Sequence, residues 1–168
     1  MGVRMGRAKP LVSPLETLLD ERRLVSRILR YWRELGLRGT FPSKRQIDPW
    51  LVADDWASCA LIAIHGEREK PTFITVGSDL LAAPDEQLEG RSVDACASDT
   101  VLGVALAKLM TVLSKRAPLT IGGAATHLGK PVLYRSILLP LAEDGIRIDT
   151  VLIAANCRRI KAGANGEG

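Results

Sequence analysis

The sequence predicts an α+β fold, an antiparallel sheet with helices packed against it. Three observations predict this. Residues 132–157 read as two β-rich apolar runs around Asp144-Gly145, a dipeptide suited to a hairpin turn because glycine tolerates positive φ. Strand-like segments come in groups, at 56–76 and 119–157, as antiparallel sheets require. Two other segments, 13–36 and 99–116, carry apolar residues at helical spacing.

A chain of 168 residues corresponds to one domain with a helical extension. With 46% hydrophobic and 25% charged residues it has the composition of an ordinary globular protein. Apolar runs stop short of the roughly 18 residues that a membrane helix needs, and no apolar stretch follows the basic N-terminus as a signal peptide requires. Cys59, Cys96 and Cys157 are odd in number and widely spaced, which fits reduced thiols and a cytoplasmic setting. The net charge of +4 gathers toward the two ends, a pattern of solvated tails, with nucleic-acid binding the weaker reading.

Taken in order, residues 1–12 have no period. Ser13, Pro14 and Glu16 make a helix start in which Ser13 caps and Glu16 returns as the capping-box partner. The stripe that follows includes Leu18, Val25, Leu29 and Trp32, and Gly36 ends it. Residues 1–36 are therefore a loose start and an amphipathic helix, 37–158 a domain, and 159–168 a disordered tail. A turn-rich connector over 40–55 leads to an apolar strand over 56–65, a solvated turn at Glu67-Arg68-Glu69-Lys70, and a second strand over 71–76. After short irregular pieces, a helix over 99–116 has Asp99 as its cap and is ended by Pro118. A weaker strand over 119–126, softened by Gly122-Gly123, reads as an edge or bulge.

A two-residue hairpin loop would pair Leu141 with Ile148, Leu139 with Thr150 and Arg135 with Ala154. A four-residue loop keeps the same pairs. One face then holds Arg135, Ile137, Leu139, Thr150, Leu152 and Asn156, and is expected to be the core face. There, Arg135, Asn156 and Thr150 are candidate ligand-binding residues on the floor of a pocket. The alternative is that Arg135 snorkels at the sheet end or pairs with Asp94 or Asp99. The other face holds Leu138, Val151 and Ile153, which need cover. With Leu18, Val25, Leu29 and Trp32 of the N-terminal helix they form an expected homodimer interface, in which the helix covers its own sheet or a partner's.

Several short motifs occur in a fixed order: Phe41-Pro42-Ser43-Lys44, Ile47-Asp48-Pro49, Phe73-Ile74-Thr75-Val76-Gly77, Leu88-Glu89-Gly90-Arg91-Ser92, Pro118, Tyr134-Arg135, Leu138-Leu139-Pro140-Leu141 and Asp144-Gly145. Together they resemble the PAS domain, in particular its short free-standing bacterial members. The resemblance implies a five-stranded antiparallel sheet of order 2-1-5-4-3 with helices on one face. It also implies a non-enzymatic sensory or adaptor module that binds a small molecule or a protein partner, and its signal is expected to pass by a change in a protein contact.

The resemblance names no ligand. Flavin-adduct members place a cysteine directly after the turn that matches Gly90-Arg91-Ser92, where this chain has Val93, with Cys96 three residues late. His65 and His127 lie at a strand end and in a turn, which argues against a haem. No cysteine or histidine pair has zinc-ligand spacing. Cys59 reads as a small core residue. The enzymatic alternative is a small hydrolase or transferase using Cys96 with His127 or His65, and nothing in the sequence places these together. The segment 121–126 is glycine-rich but lacks the Lys-Ser/Thr of a phosphate loop.

Overall fold

The computed structural model describes residues 14–37, 39–47 and 54–160, with side chains from residue 23 onward. Ser13, Glu16 and Leu18, with the expected tail beyond Ile160, lie outside those described residues or side chains. Helix α1 spans Pro14–Leu35. Strands β1 (Cys59–Ala63) and β2 (Thr72–Val76) follow. Short 3-10 turns lead to α2 (Val101–Leu106) and α3 (Leu109–Lys115), and then to β3 (Leu119–His127), β4 (Lys130–Leu141) and β5 (Thr150–Arg159). The strands form one antiparallel sheet of order β2-β1-β5-β4-β3, the order that the PAS resemblance implies. β3 is an edge strand, as its glycines suggest.

The predicted helix over 99–116 is two helices. Thr100, not Asp99, caps α2, accepting from the Gly103 amide at 3.0 Å, while its own hydroxyl donates to the Ala97 carbonyl at 2.7 Å. α3 ends at Arg116, whose φ of 54° closes the last turn. β1 is shorter than the apolar run that contains it, because residues Trp56–Ser58 form a 3-10 turn before the sheet begins.

The closing hairpin departs from the expected register. Leu141 pairs with Thr150, Leu139 with Leu152, and Arg135 with Asn156, so β5 is shifted by two residues against β4. The cause is the connection, which runs from Ala142 to Asp149. The Asp144 carboxylate accepts from the amides of Ile146 (2.8 Å) and Arg147 (2.7 Å), folding the loop on itself, and Asp149 accepts from the Glu143 amide at 2.8 Å. The shift is even, so each residue keeps its predicted face.

The assignment of those faces is exchanged. The face with Ile137, Leu139, Leu141, Leu152 and Ala154 is covered by α1 through Leu24, Val25 and Ile28 of the same chain. The face with Leu138, Val151 and Ile153 lies under α2 and α3, among Val101, Leu102, Ala105 and Val112. Leu138, Val151 and Ile153 are 0% exposed, so they are core residues and form no outer surface. Val25 is buried against the chain's own sheet, and Leu29 and Trp32 pack around it half-buried. Both strand faces carry long apolar stretches, so alternation alone could not say which one the crossover between β2 and β3 would cover.

β5 also extends through Arg159, and the Ile160 amide donates to the Pro131 carbonyl at 3.2 Å, so the sheet outlasts the predicted domain end. Among the described residues no helix is long and apolar enough to cross a membrane.

Candidate functional site

Odd-numbered residues of β5 alternate onto the face beneath α2: Val151, Ile153, Ala155, Cys157 and Arg159. The first three are buried, whereas Cys157 is half-buried, because the cover ends there. A cleft of about 320 Å³ opens at this point. Its inner wall is Val132, Ala155 and Cys157 from the sheet, with Leu80 and Val101 from the helical side. Asp79, His127 and Arg159 stand at its polar edge. The volume falls within the ~300–1,000 Å³ of small-molecule sites, and apolar walls with a few polar groups are their usual lining.

Local structure fixes these groups. Asp79 belongs to the 3-10 turn Ser78–Leu80, and its carboxylate accepts from the Ser58 hydroxyl at 3.0 Å, joining that turn to the approach to β1. His127 ends β3 and pairs with Lys130 across a two-residue turn, Leu128-Gly129. Both turn residues have positive φ, 50° at Leu128 and 72° at Gly129, as a type I′ hairpin requires. Leucine is a poor choice for that backbone region, and here its side chain forms part of the cleft wall while half exposed.

Ser136 lies on the same sheet face, directly opposite Ala155. It is 0% exposed, and its Oγ has no hydrogen-bond partner among the described residues. A buried hydroxyl without a partner costs about 1–3 kcal/mol. The polar atom thus stands one strand away from the inner wall of the cleft.

Of the three predicted ligand residues, only Asn156 borders this cleft. Arg135 is its cross-strand neighbour but lies outside the lining, and pairs with neither Asp94 nor Asp99. Thr150 is at the far end of β5, opposite Leu141, where its hydroxyl bonds Asp149 at 2.9 Å. Sequence reasoning missed Asp79, Cys157, Arg159 and Ser136. The alternation that put Val151 and Ile153 on one face reaches Cys157 and Arg159 once the strand is carried on to residue 159. Asp79, in an irregular turn, had no such signal.

The cysteines separate by environment. The Cys59 thiol is 2% exposed, and burial, with the Asp55 carboxylate second, pushes it up to about 12. Cys96 is also raised, chiefly by burial, and lies 3.4 Å from the Thr100 hydroxyl. Raised thiols are poor nucleophiles. His65 meets Thr72 at 2.8 Å on the β1–β2 side, away from the cleft that His127 borders. Among the described residues no group of three or more His, Cys, Asp or Glu is placed to hold a metal ion.

No protein-family model matches the sequence, and no curated protein matches it. Solved structures similar to this chain include a sensory box sensor histidine kinase from Vibrio cholerae, at 14% identity and a TM-score of 0.43, covering 88% of this chain and 100% of that one. A point variant of RsLOV is similar at 10% identity and a TM-score of 0.42, covering 84% of this chain and 72% of that one.

Proposed function

We propose that this chain is a non-enzymatic sensory module that takes a small polar molecule in the cleft between the sheet and the turn that carries Asp79. The observation that carries the reading is the cleft itself. It combines an apolar inner wall with an anionic group, an imidazole and a guanidinium at one edge, an arrangement that orients a zwitterionic or hydrogen-bonding ligand. The strand order supports it, because a sheet closed on one side by short helices leaves an interior face for a ligand. The unpartnered Ser136 hydroxyl, beside the inner wall, would gain from a ligand group or a water brought into reach.

The signal would pass through the sheet to α1, which lies on its opposite face and is tied to β4 and β5 by buried side chains. Homodimerisation would use the outward side of α1, since the sheet face beneath it is already covered.

Amide-resolved NMR during a screen of small metabolites tests this reading. A ligand of the cleft should shift the resonances of Leu80, Val101, His127 and Cys157 together, and Arg159→Ala should weaken it. Shifts confined to other surfaces, or none with any metabolite, would count against it. For the hydrolase alternative, substitution of Cys96 or His127 should abolish a measurable turnover.

A further inference from the structure

A second concavity, of about 690 Å³, lies at the opposite end of the sheet, between the β1–β2 turn, α3 and the β4–β5 loop. Its floor is aliphatic: Ile64, Pro71, Met110, Leu113 and Ile148. Met110 is 71% exposed, an unusual position for a large apolar side chain next to other apolar groups. Beneath it the Ile64 amide donates to the Asp149 carbonyl at 2.8 Å and so joins the end of β1 to the closing loop.

The rim is cationic. Arg68, Lys70, Arg116 and Arg147 border the groove, against Glu67 and Glu69. Two of the four cations are engaged. Lys70 pairs with Asp94, and Arg116 donates to the Ile146 carbonyl and stacks 5.2 Å from the Phe41 ring centre. Among the described residues, neither Arg68 nor Arg147 has a carboxylate within ion-pair distance. Arg147 feels the Asp144 carboxylate and Arg68 stands between Glu67 and Glu69, but neither is locked in an ion pair, so two exposed guanidinium groups border one aliphatic floor.

We propose that this groove binds a long-chain carboxylate, its alkyl chain on the Met110–Leu113–Ile148 floor and its head group held by Arg68 and Arg147. Guanidinium suits a carboxylate because its planar fork donates two parallel hydrogen bonds. Methionine suits an alkyl chain because its flexible thioether adapts to irregular apolar contacts. A free amphiphile fits better than an anionic bilayer: with Glu67 and Glu69 on the same rim, the surface lacks the run of uncompensated Lys and Arg that a membrane surface attracts. The inference is independent of the cleft at the other end of the sheet.

The test is isothermal titration of the full chain with dodecanoate below its micelle-forming concentration. Parallel titrations use dodecyltrimethylammonium, acetate and phosphatidylglycerol vesicles. Dodecanoate should bind saturably, and the other three at least tenfold more weakly. The double variant R68E/R147E and the floor variant M110E, all at surface positions, should each reduce dodecanoate affinity at least tenfold without changing the far-UV spectrum. Equal binding of the cationic amphiphile, preference for the vesicles, undiminished affinity in R68E/R147E or absence of dodecanoate binding would each overturn the proposal. The last outcome would leave the groove to an acidic protein segment.

Discussion

The indole Nε1 of Trp32 donates to the carbonyl oxygen of Pro140 at 2.8 Å, a bond between residues 108 positions apart. It fastens the last turn of α1 to β4 close to where the strand enters its loop. The Trp32 ring also tilts against Phe41, with centroids 6.4 Å apart and planes at 44°, so the helix end and the following connector share one aromatic contact. Trp32→Phe keeps most of the ring but removes the donor. Chemical denaturation should show a loss of about 0.5–1.5 kcal/mol, the range for the net contribution of one hydrogen bond. An unchanged midpoint would mean that α1 does not rest on β4 in solution.

Removal of residues 1–36 tests the larger contact. Leu24, Val25 and Ile28 cover Ile137, Leu139, Leu141 and Leu152, all nearly inaccessible. Without the helix that aliphatic sheet face is open to water, and surfaces of this kind drive association. Light scattering should find the truncated chain self-associated, with a lower melting temperature than the full chain. A well-folded monomer in both forms would refute the packing of α1 and the homodimer proposal together.

Leu128 occupies a left-handed conformation, φ 50°, at the lip of the cleft. L-residues with a full side chain pay roughly 1–2 kcal/mol for this region, and Asn less than most. Leu128→Asn should therefore raise stability by about 0.5–1 kcal/mol while removing part of the apolar lip. A stabilised variant with weakened ligand binding is the expected pair of results. A destabilised variant would show that packing of the Leu128 side chain outweighs its backbone strain.

Cys59 sets an alkaline limit. Its thiol is held at about 12 in the folded chain against 9.0 for an unburied thiol. The raised value means the folded state keeps its proton where the unfolded state has lost it. Stability is thus unaffected below pH 9, and falls as pH rises from there toward 12, by up to about 1.4 kcal/mol per pH unit. Urea titrations at pH 8 and 10.5 should show a larger decline for the native sequence than for Cys59→Ala. Equal declines would place the thiol in contact with water. At neutral pH, Cys59 should also react with a thiol reagent far more slowly than half-buried Cys157.

Much of the fold was legible because it follows from short-range chemistry. Asp144-Gly145 marked the closing turn, Gly122-Gly123 marked an edge strand, and the stripe through Val25, Leu29 and Trp32 marked the face of α1 that meets the sheet. What escaped were matters of long-range arrangement. The loop from Ala142 to Asp149 lengthened because two aspartates bond backbone amides within it, which shifted the register by an even number and left the face pattern intact. The choice of inner face depends on which side the β2–β3 crossover takes, and two faces that both carry long apolar stretches leave no mark of that choice. The exchange moved Leu138, Val151 and Ile153 from an expected interface into the core, and left Asn156 as the single predicted ligand residue beside the cleft. Asp79 and His127 come together there only through turns far apart in sequence, so no spacing rule could have joined them.

The central claim is that the cleft lined by Val101, His127 and Arg159 holds a small molecule. Native mass spectrometry of the full chain as purified tests it most directly, compared with Arg159→Ala and with the same protein after denaturation and refolding. The account predicts an added mass on the native protein, released on denaturation and reduced in Arg159→Ala. A bare chain mass in every sample, or an added mass that Arg159→Ala leaves in full, would contradict it.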